Sequence, residues 1–245
     1  MPQPRGRKSV SDVFDRTAIL RHAPFNAMSG DEADELLQIA LPCQVAMNSA
    51  VFHQGDPARY FYILLEGRLK VVQVTPDGQQ IVARIVGPGE MFGIARALRR
   101  TDYPATAIAV TWSAALAWPM RRWDEMISRH PSLAKAALHT LGCSLQDTQA
   151  RLRELSTEDV EHRVAHTLMR LVARSGRRTA EGVLIDFPIS RQDIAEMSGT
   201  TLFTVSRLLG VWATAGLVSR GRRKLVVHDT RRLKALADGK QPVAK

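Results

Sequence analysis

Seven residues in the middle of the chain, Ala134, Leu138, Leu141, Leu145, Thr148, Leu152 and Leu155, recur at alternating steps of four and three. This is an a/d seam held for three heptads, and it predicts one long helix over 131–156. Pro131 stands in its first turn, where the missing N–H is not needed. A helix lying only against its own domain needs a broader stripe with a period of 3.6. The narrow seam therefore points to a two-stranded coiled coil between two copies of the chain. Packing within one subunit is the alternative.

The chain reads differently on the two sides of this helix. Residues 1–23 are polar and basic and read as a tail. At 29–37, Ser29 or Asp31 can cap a short helix with acidic residues in its first turn and Leu36, Leu37 and Ala40 on its apolar side. Short apolar, β-branched runs follow at 51–56, 60–65, 68–74, 80–86, 105–110 and 114–118. Gly55, Gly67, Gly78 and a glycine-rich loop at 87–93 punctuate them. Such spacing predicts a small antiparallel barrel or sandwich over 24–130. After the long helix, Ser156 and Asp159 suggest a capping-box start to a helix carrying Val160, Val164, Leu168, Leu171 and Val172, ending near Gly176. Residues 157–235 form the C-terminal module and 236–245 a tail. The fold class is α+β.

The net charge of +10 is unevenly placed: +3 over 1–23, zero over 24–156, and +7 over 157–245. A basic field confined to one module suits a polyanionic partner. A solvated basic surface is the plainer reading. Two cysteines, Cys43 and Cys143, are too few for a disulfide scaffold or a four-cysteine metal site. No apolar run reaches membrane-spanning length, and the basic N-terminus lacks the apolar core of a secretory signal, so a cytoplasmic location without membrane contact is expected. No nucleophile elbow, phosphate loop, HExxH or paired-carboxylate pattern occurs, so an enzyme is not expected. No metal site is expected either.

The segment ISRQDIAEMSGTTLFTVSRLL at 189–209 has the periodicity of a helix–turn–helix. Ser190 can cap a first helix with Ile194 and Met197 inward, and Ala195 is small where two helices cross. Gly199 sits where the turn calls for a positive φ. Thr201 can cap a second helix whose buried stripe is Val205, Leu208, Leu209 and Trp212. The opposite arc holds Phe203, Ser206, Arg207 and Gly210, with Leu202 on the flank. Residues 216–228 then read as two strands around a basic turn, a wing carrying Arg220, Arg222, Arg223 and Lys224. A helical hairpin for protein contact is the rival interpretation.

These features together resemble the Crp/Fnr family of bacterial transcription regulators from about Pro24 to Leu233. The resemblance rests on Gly55, Gly67, Gly78, Gly87, Gly89 and Gly93, on PGEMFG at 88–93, on the long helix, and on SRQDIA and TVSR at 190–195 and 204–207. It implies a cyclic-nucleotide-binding-like β-roll, a dimerisation helix and a winged helix–turn–helix. It also implies a homodimer on a two-fold symmetric operator in double-stranded DNA, in contact with RNA polymerase.

On that template, base reading falls to Arg207, Ser206, Phe203 and Leu202. Arg207 can take guanine O6 and N7 in a bidentate fork, worth roughly 1–3 kcal/mol of discrimination. Ser206 can bond a base edge or a phosphate. Family members commonly carry glutamate where Phe203 stands; Phe203 can only pack on a thymine methyl, or be a partly buried aromatic at the helix start. Ser190, Arg191, Thr200, Thr201 and Thr204 are expected at phosphates, with Arg220, Arg222, Arg223 and Lys224 adding salt-sensitive affinity.

The effector pocket expected from the resemblance comprises Gly89, Glu90, Met91, Phe92, Gly93, Ile94, Tyr103, Ala105 and Thr106. Cyclic-AMP-binding members carry a glutamate after the loop glycine and an Arg-Ser pair about ten residues on. Here Ile94 follows Gly93, and Tyr103-Pro104 stand at the clamp, so cyclic AMP in its usual mode is not expected. The missing N-terminal cysteine cluster argues against an iron–sulfur cluster. Residues 103–107 look more like the nitric-oxide and denitrification branch, some members of which carry haem. For haem, His22, His53 and Cys43 are axial candidates by residue type alone. A small-molecule or gas effector is expected, and the cofactor is left open. A nonspecific architectural DNA-binding protein is the rival function.

Overall fold

A computed structural model describes residues 9–221 and 224–240. The chain divides into two compact units, Met1–Leu145 and Gln146–Lys245. Eight antiparallel strands build the first: β1 (Leu41–Val45), β2 (Ala50–Phe52), β3 (Tyr60–Glu66), β4 (Leu69–Val74), β5 (Gln80–Val86), β6 (Met91–Phe92), β7 (Thr106–Ala109) and β8 (Ser113–Pro119). They form two four-stranded sheets, ordered β1-β8-β3-β6 and β2-β7-β4-β5. β8 is an unbroken apolar run, buried from Ser113 to Trp118 because β1 and β3 flank it and side chains pack on both its faces. Phe61, Leu64, Leu116 and Trp118 are fully buried, each large side chain contributing roughly 1.5–3 kcal/mol.

Helix α1 (Arg16–Ile19) and helix α2 (Gly30–Ile39) pack on this unit. Ser29 caps α2 in a reciprocal box with Glu32, and Ala33 and Leu36 point inward. The Trp118 indole N–H donates to the Leu36 carbonyl at 2.9 Å, which pins α2 to β8. Val10 and Ile19 are buried in the same core, and Arg16 grips Asp34 through two hydrogen bonds of 2.7 and 3.0 Å. From Ser9 onward the N-terminal segment is therefore packed against the unit and is not the free tail that its composition suggests. The strand β1 has no counterpart in the sequence reading, because Pro42 interrupts its pattern. It is tolerated since β1 lies at a sheet edge.

Helix α3 (Trp123–Arg129) leads into helix α4 (Pro131–Thr157), which extends from the first unit into the second. The second unit continues with α5 (Val160–Ser175), β9 (Gly176–Thr179), β10 (Gly182–Ile185), α6 (Arg191–Ser198), α7 (Leu202–Thr214), β11 (Val218–Gly221), β12 (Lys224–Val227) and α8 (Thr230–Ala237). The expected cap at Ser156 is corrected. Ser156 lies inside α4 and its hydroxyl donates to the Leu152 carbonyl at 2.8 Å, while Asp159 caps α5 by accepting from the His162 N–H at 3.1 Å. An i−4 carbonyl satisfies a serine hydroxyl within a helix, so the helix runs on to Thr157.

The wing strands β11 and β12 join β10 and β9 in a four-stranded sheet ordered β11-β12-β10-β9. The hairpin of β9 and β10 was not legible as strands, since Arg177 and Arg178 are polar and exposed. α8 reaches Ala237, two residues into the expected C-terminal tail. Between α4 and α5 lie two ion pairs, one built on a buried glutamate and one partly exposed. Glu154, 3% exposed, meets Arg170 at 2.5 Å, and Asp147 meets Arg174 at 2.5 Å. Burial, with Arg170 close by, pushes the neighbouring Arg151 guanidinium down to about 10.

Candidate nucleic-acid interface and effector cavity

The α6–turn–α7 pair is built as its sequence requires. Ser190 caps α6 reciprocally with Asp193, and Gly199 takes φ +64°, the left-handed conformation the turn needs. Thr201 caps α7 through the Thr204 N–H at 3.2 Å. Val205, Leu208, Leu209 and Trp212 are buried, and the Trp212 indole N–H donates to Glu161 at 2.9 Å, tying α7 to α5. The other side of α7 faces outward. Phe203 is 79% exposed and Leu202 47%, so Phe203 is not the partly buried aromatic of the alternative. Arg207 is exposed, and among the described residues no carboxylate pairs with it. Arg191 of α6 donates to the Ser206 hydroxyl at 3.2 Å, which joins a base-reading candidate to a phosphate-binding candidate.

The remaining phosphate candidates differ in availability. The Ser190 hydroxyl donates to Asp193 at 2.5 Å, and the Thr201 and Thr204 hydroxyls lie 3.0 Å apart, so these three are engaged in the caps. Thr200 is half-buried at the turn, and its N–H closes on the Ala195 carbonyl. Arg220 lies on β11 and Lys224 is exposed at the start of β12; Arg222 and Arg223 lie outside the described residues.

On α4, Leu133, Ala137 and Thr140 are buried, whereas Leu138, Leu145, Leu152 and Leu155 are 55–68% exposed. Thr148 is exposed, and Ala134 and Leu141 are half-buried. The helix thus has a packed side and an outward apolar stripe that follows the heptad seam.

The first unit holds a cavity of about 240 Å³. Six of the expected residues line it: Met91, Phe92, Gly93, Ile94, Tyr103 and Ala105; Gly89, Glu90 and Thr106 do not. Thr106 instead accepts from the Gln54 N–H at 3.0 Å. Further lining comes from strands and a helix distant in sequence, notably Phe52, Val71, Gln73 and Arg84, and Thr140, Leu141 and Ser144 of α4. Phe52 stacks on Tyr103 with ring centroids 3.7 Å apart, and Tyr62 and Phe92 extend the cluster. The Tyr103 hydroxyl donates to the Tyr60 carbonyl at 2.7 Å and accepts from the Tyr60 N–H at 3.1 Å. Arg84 donates to the Met91 carbonyl at 2.9 Å and faces Glu90 at 3.4 Å. The cavity is therefore mostly apolar and its arginine is already neutralised.

The haem candidates lie elsewhere. None of His22, His53 and Cys43 lines the cavity. Burial pushes the Cys43 thiol up to about 11 and lowers the pKa of His22. Among the described residues no group of three metal-ligating side chains occurs, and no helix is long and apolar enough to cross a membrane.

Two family profiles match the chain, one described as a cyclic nucleotide-binding domain over residues 42–130 and one as a Crp-like helix-turn-helix domain over residues 162–236. The global nitrogen regulator of a Nostoc species is 30% identical over 74% of this chain and 82% of its own length. The cyclic AMP receptor protein of Thermus thermophilus is 28% identical over 88% and 96%. Among solved structures, a Crp-family transcriptional regulator from Thermus thermophilus aligns with a TM-score of 0.67 at 27% identity, over 82% of this chain and 99% of that one. FixK2 from Bradyrhizobium japonicum shares the fold, with a TM-score of 0.70 at 22% identity over 84% and 100%. The chain belongs to the Crp/Fnr family of DNA-binding transcription regulators, not to an enzyme family.

Proposed function

We propose that this regulator acts in the cytoplasm as a homodimer joined along the outward stripe of α4, reads a two-fold symmetric operator with α7, and answers to an uncharged small molecule held in the first unit. The observation that carries the operator reading is the outward arc of α7, where Arg207, with no carboxylate partner among the described residues, stands beside Ser206 and Phe203 on the most basic part of the chain. Contact with RNA polymerase follows from the family. Gel-shift titrations on an operator selected from random duplexes, and on its scrambled version, test this reading. Arg207→Ala is expected to lose operator affinity while keeping scrambled binding, and equal losses on both would sink it. Genome-wide occupancy separates the regulator from an architectural protein, which would cover DNA broadly.

The signal reading rests on the chemistry of the cavity. Its apolar walls and its arginine, already facing Glu90, offer no unneutralised cation to a cyclic phosphate. Mass spectrometry of protein purified from its native host is expected to find an uncharged, largely apolar molecule. Recovery of a cyclic nucleotide would overturn this part alone.

A further inference from the structure

The outward arc of α7 has a centre line of Phe203, Arg207, Gly210 and Thr214, with Leu202, Ser206 and Val211 beside it. Three observations distinguish it. First, three large apolar side chains face out: Phe203 at 79%, Val211 at 56% and Leu202 at 47% exposure. They are not a second core face, since Val205, Leu208, Leu209 and Trp212 already fill the inward side. Second, Gly210 lies within the helix, where glycine is less favourable than alanine. A Cβ built there meets nothing within 4 Å, and its φ is not in the left-handed region, so nothing inside the molecule calls for glycine. Third, the arc carries one cation and no carboxylate, so it has no acceptor of the kind that takes a cytosine amino group.

An outward arc that is apolar, bare at its middle and singly cationic fits a surface with exposed methyl groups next to one good acceptor pair. In the major groove these are the thymine 5-methyl and the guanine O6/N7 edge. The +7 charge of residues 157–245 favours a polyanion over an apolar protein as the occupant. We infer that this arc reads thymine methyl groups: Phe203, flanked by Leu202, packs on them, Arg207 takes an adjacent guanine, and Gly210 lets the α7 backbone lie closer to the duplex than a side chain would allow. This rests on the proposed operator-reading role of α7.

The test uses the full chain, purified from its own host, on the duplex that it enriches from a randomised pool. Each thymine is replaced in turn by deoxyuridine, which removes only the methyl group and leaves base pairing intact. At one or two positions per half-site the loss is expected to be three- to fivefold, the factor for burying one methyl-sized group. Phe203→Ala, an exposed position that folding does not need, is expected to bind the thymine and deoxyuridine duplexes alike. Gly210→Ala is expected to raise Tm by roughly 2–4 °C while weakening the operator severalfold, a divergence that a purely structural glycine would not give. If no deoxyuridine position matters, or if Phe203→Ala keeps the full thymine preference, the methyl-reading inference fails while operator recognition stands. If no sequence is enriched, operator recognition itself fails and the inference with it.

Discussion

In the β-rich unit, arginine after arginine faces a carboxylate: Arg16 with Asp34 at 2.7 Å, Arg96 with Asp124 at 2.7 Å, Arg122 with Glu125 at 2.8 Å, and Arg84 with Glu90 at 3.4 Å. On the outward arc of α7, Arg207 faces none among the described residues. Exposed pairs of the first kind add little stability, typically below 1 kcal/mol each. Their effect is to cancel the field of a domain that carries no net charge over 24–156. Without a carboxylate partner among the described residues, Arg207 retains its field and its donors for an external partner. A third pattern lies between α4 and α5, where Glu154 and Arg170 are paired out of water. Thus one side chain serves as surface neutraliser, as reader, or as buried structural part, and the surroundings decide which.

The largest expected effect tests the buried pair. Glu154→Ala leaves Arg170 and Arg151 without their buried acid, and should destabilise the second unit by about 3–5 kcal/mol in urea unfolding. A loss below about 1 kcal/mol would place that pair with the surface pairs. Next, Arg207→Ala should narrow the gap between operator and scrambled duplex by about 1–3 kcal/mol while leaving thermal stability within ±0.5 kcal/mol, as for a surface residue. Ser190→Ala removes the serine half of the α6 capping box, leaving the backbone N–H of residue 190 on the Asp193 carboxylate, and should cost about 1 kcal/mol in thermal unfolding, with discrimination between duplexes unchanged. If discrimination falls as well, Ser190 belongs to the reading face and not only to the cap. The smallest effect concerns Arg222, outside the described residues. Arg222→Ala should weaken all duplexes alike and lower the slope of log affinity against log salt by about 1, measured by titration across salt concentrations.

What could be read from the sequence depended on period and proximity. The α4 seam and the α6–α7 pair were legible because their apolar positions repeat at helical spacing, and because Ser190 and Thr201 stand directly before the helices they cap. β1 was hidden by Pro42, whose place at a sheet edge no local pattern reveals. β9 was hidden because a strand with no buried face leaves no alternation to detect. The cavity was half legible. Its loop residues at 91–94 form one run, but Phe52, Val71 and Thr140 reach it from elements far apart in sequence. The pairing of Glu154 with Arg170 was not legible either, since a charge on a helix reads as solvated until the helix it meets is known. The exposure of Phe203 likewise separated two readings that the residue type alone left open.

Leu141 is one of the seven seam residues, and it also lines the cavity. Its neighbours along the stripe, Leu138 and Leu145, face outward one turn to either side. Under the proposed function, one side chain is therefore subject to two selections, for the size of whatever fills the cavity and for the register of the stripe. A substitution at 141 that admits a bulkier molecule also alters the stripe at its centre. Under the proposed function, a lineage changing its signal through this position would change its helix pairing in the same step, whereas Val71, half-buried on β4, lines the cavity without belonging to the stripe.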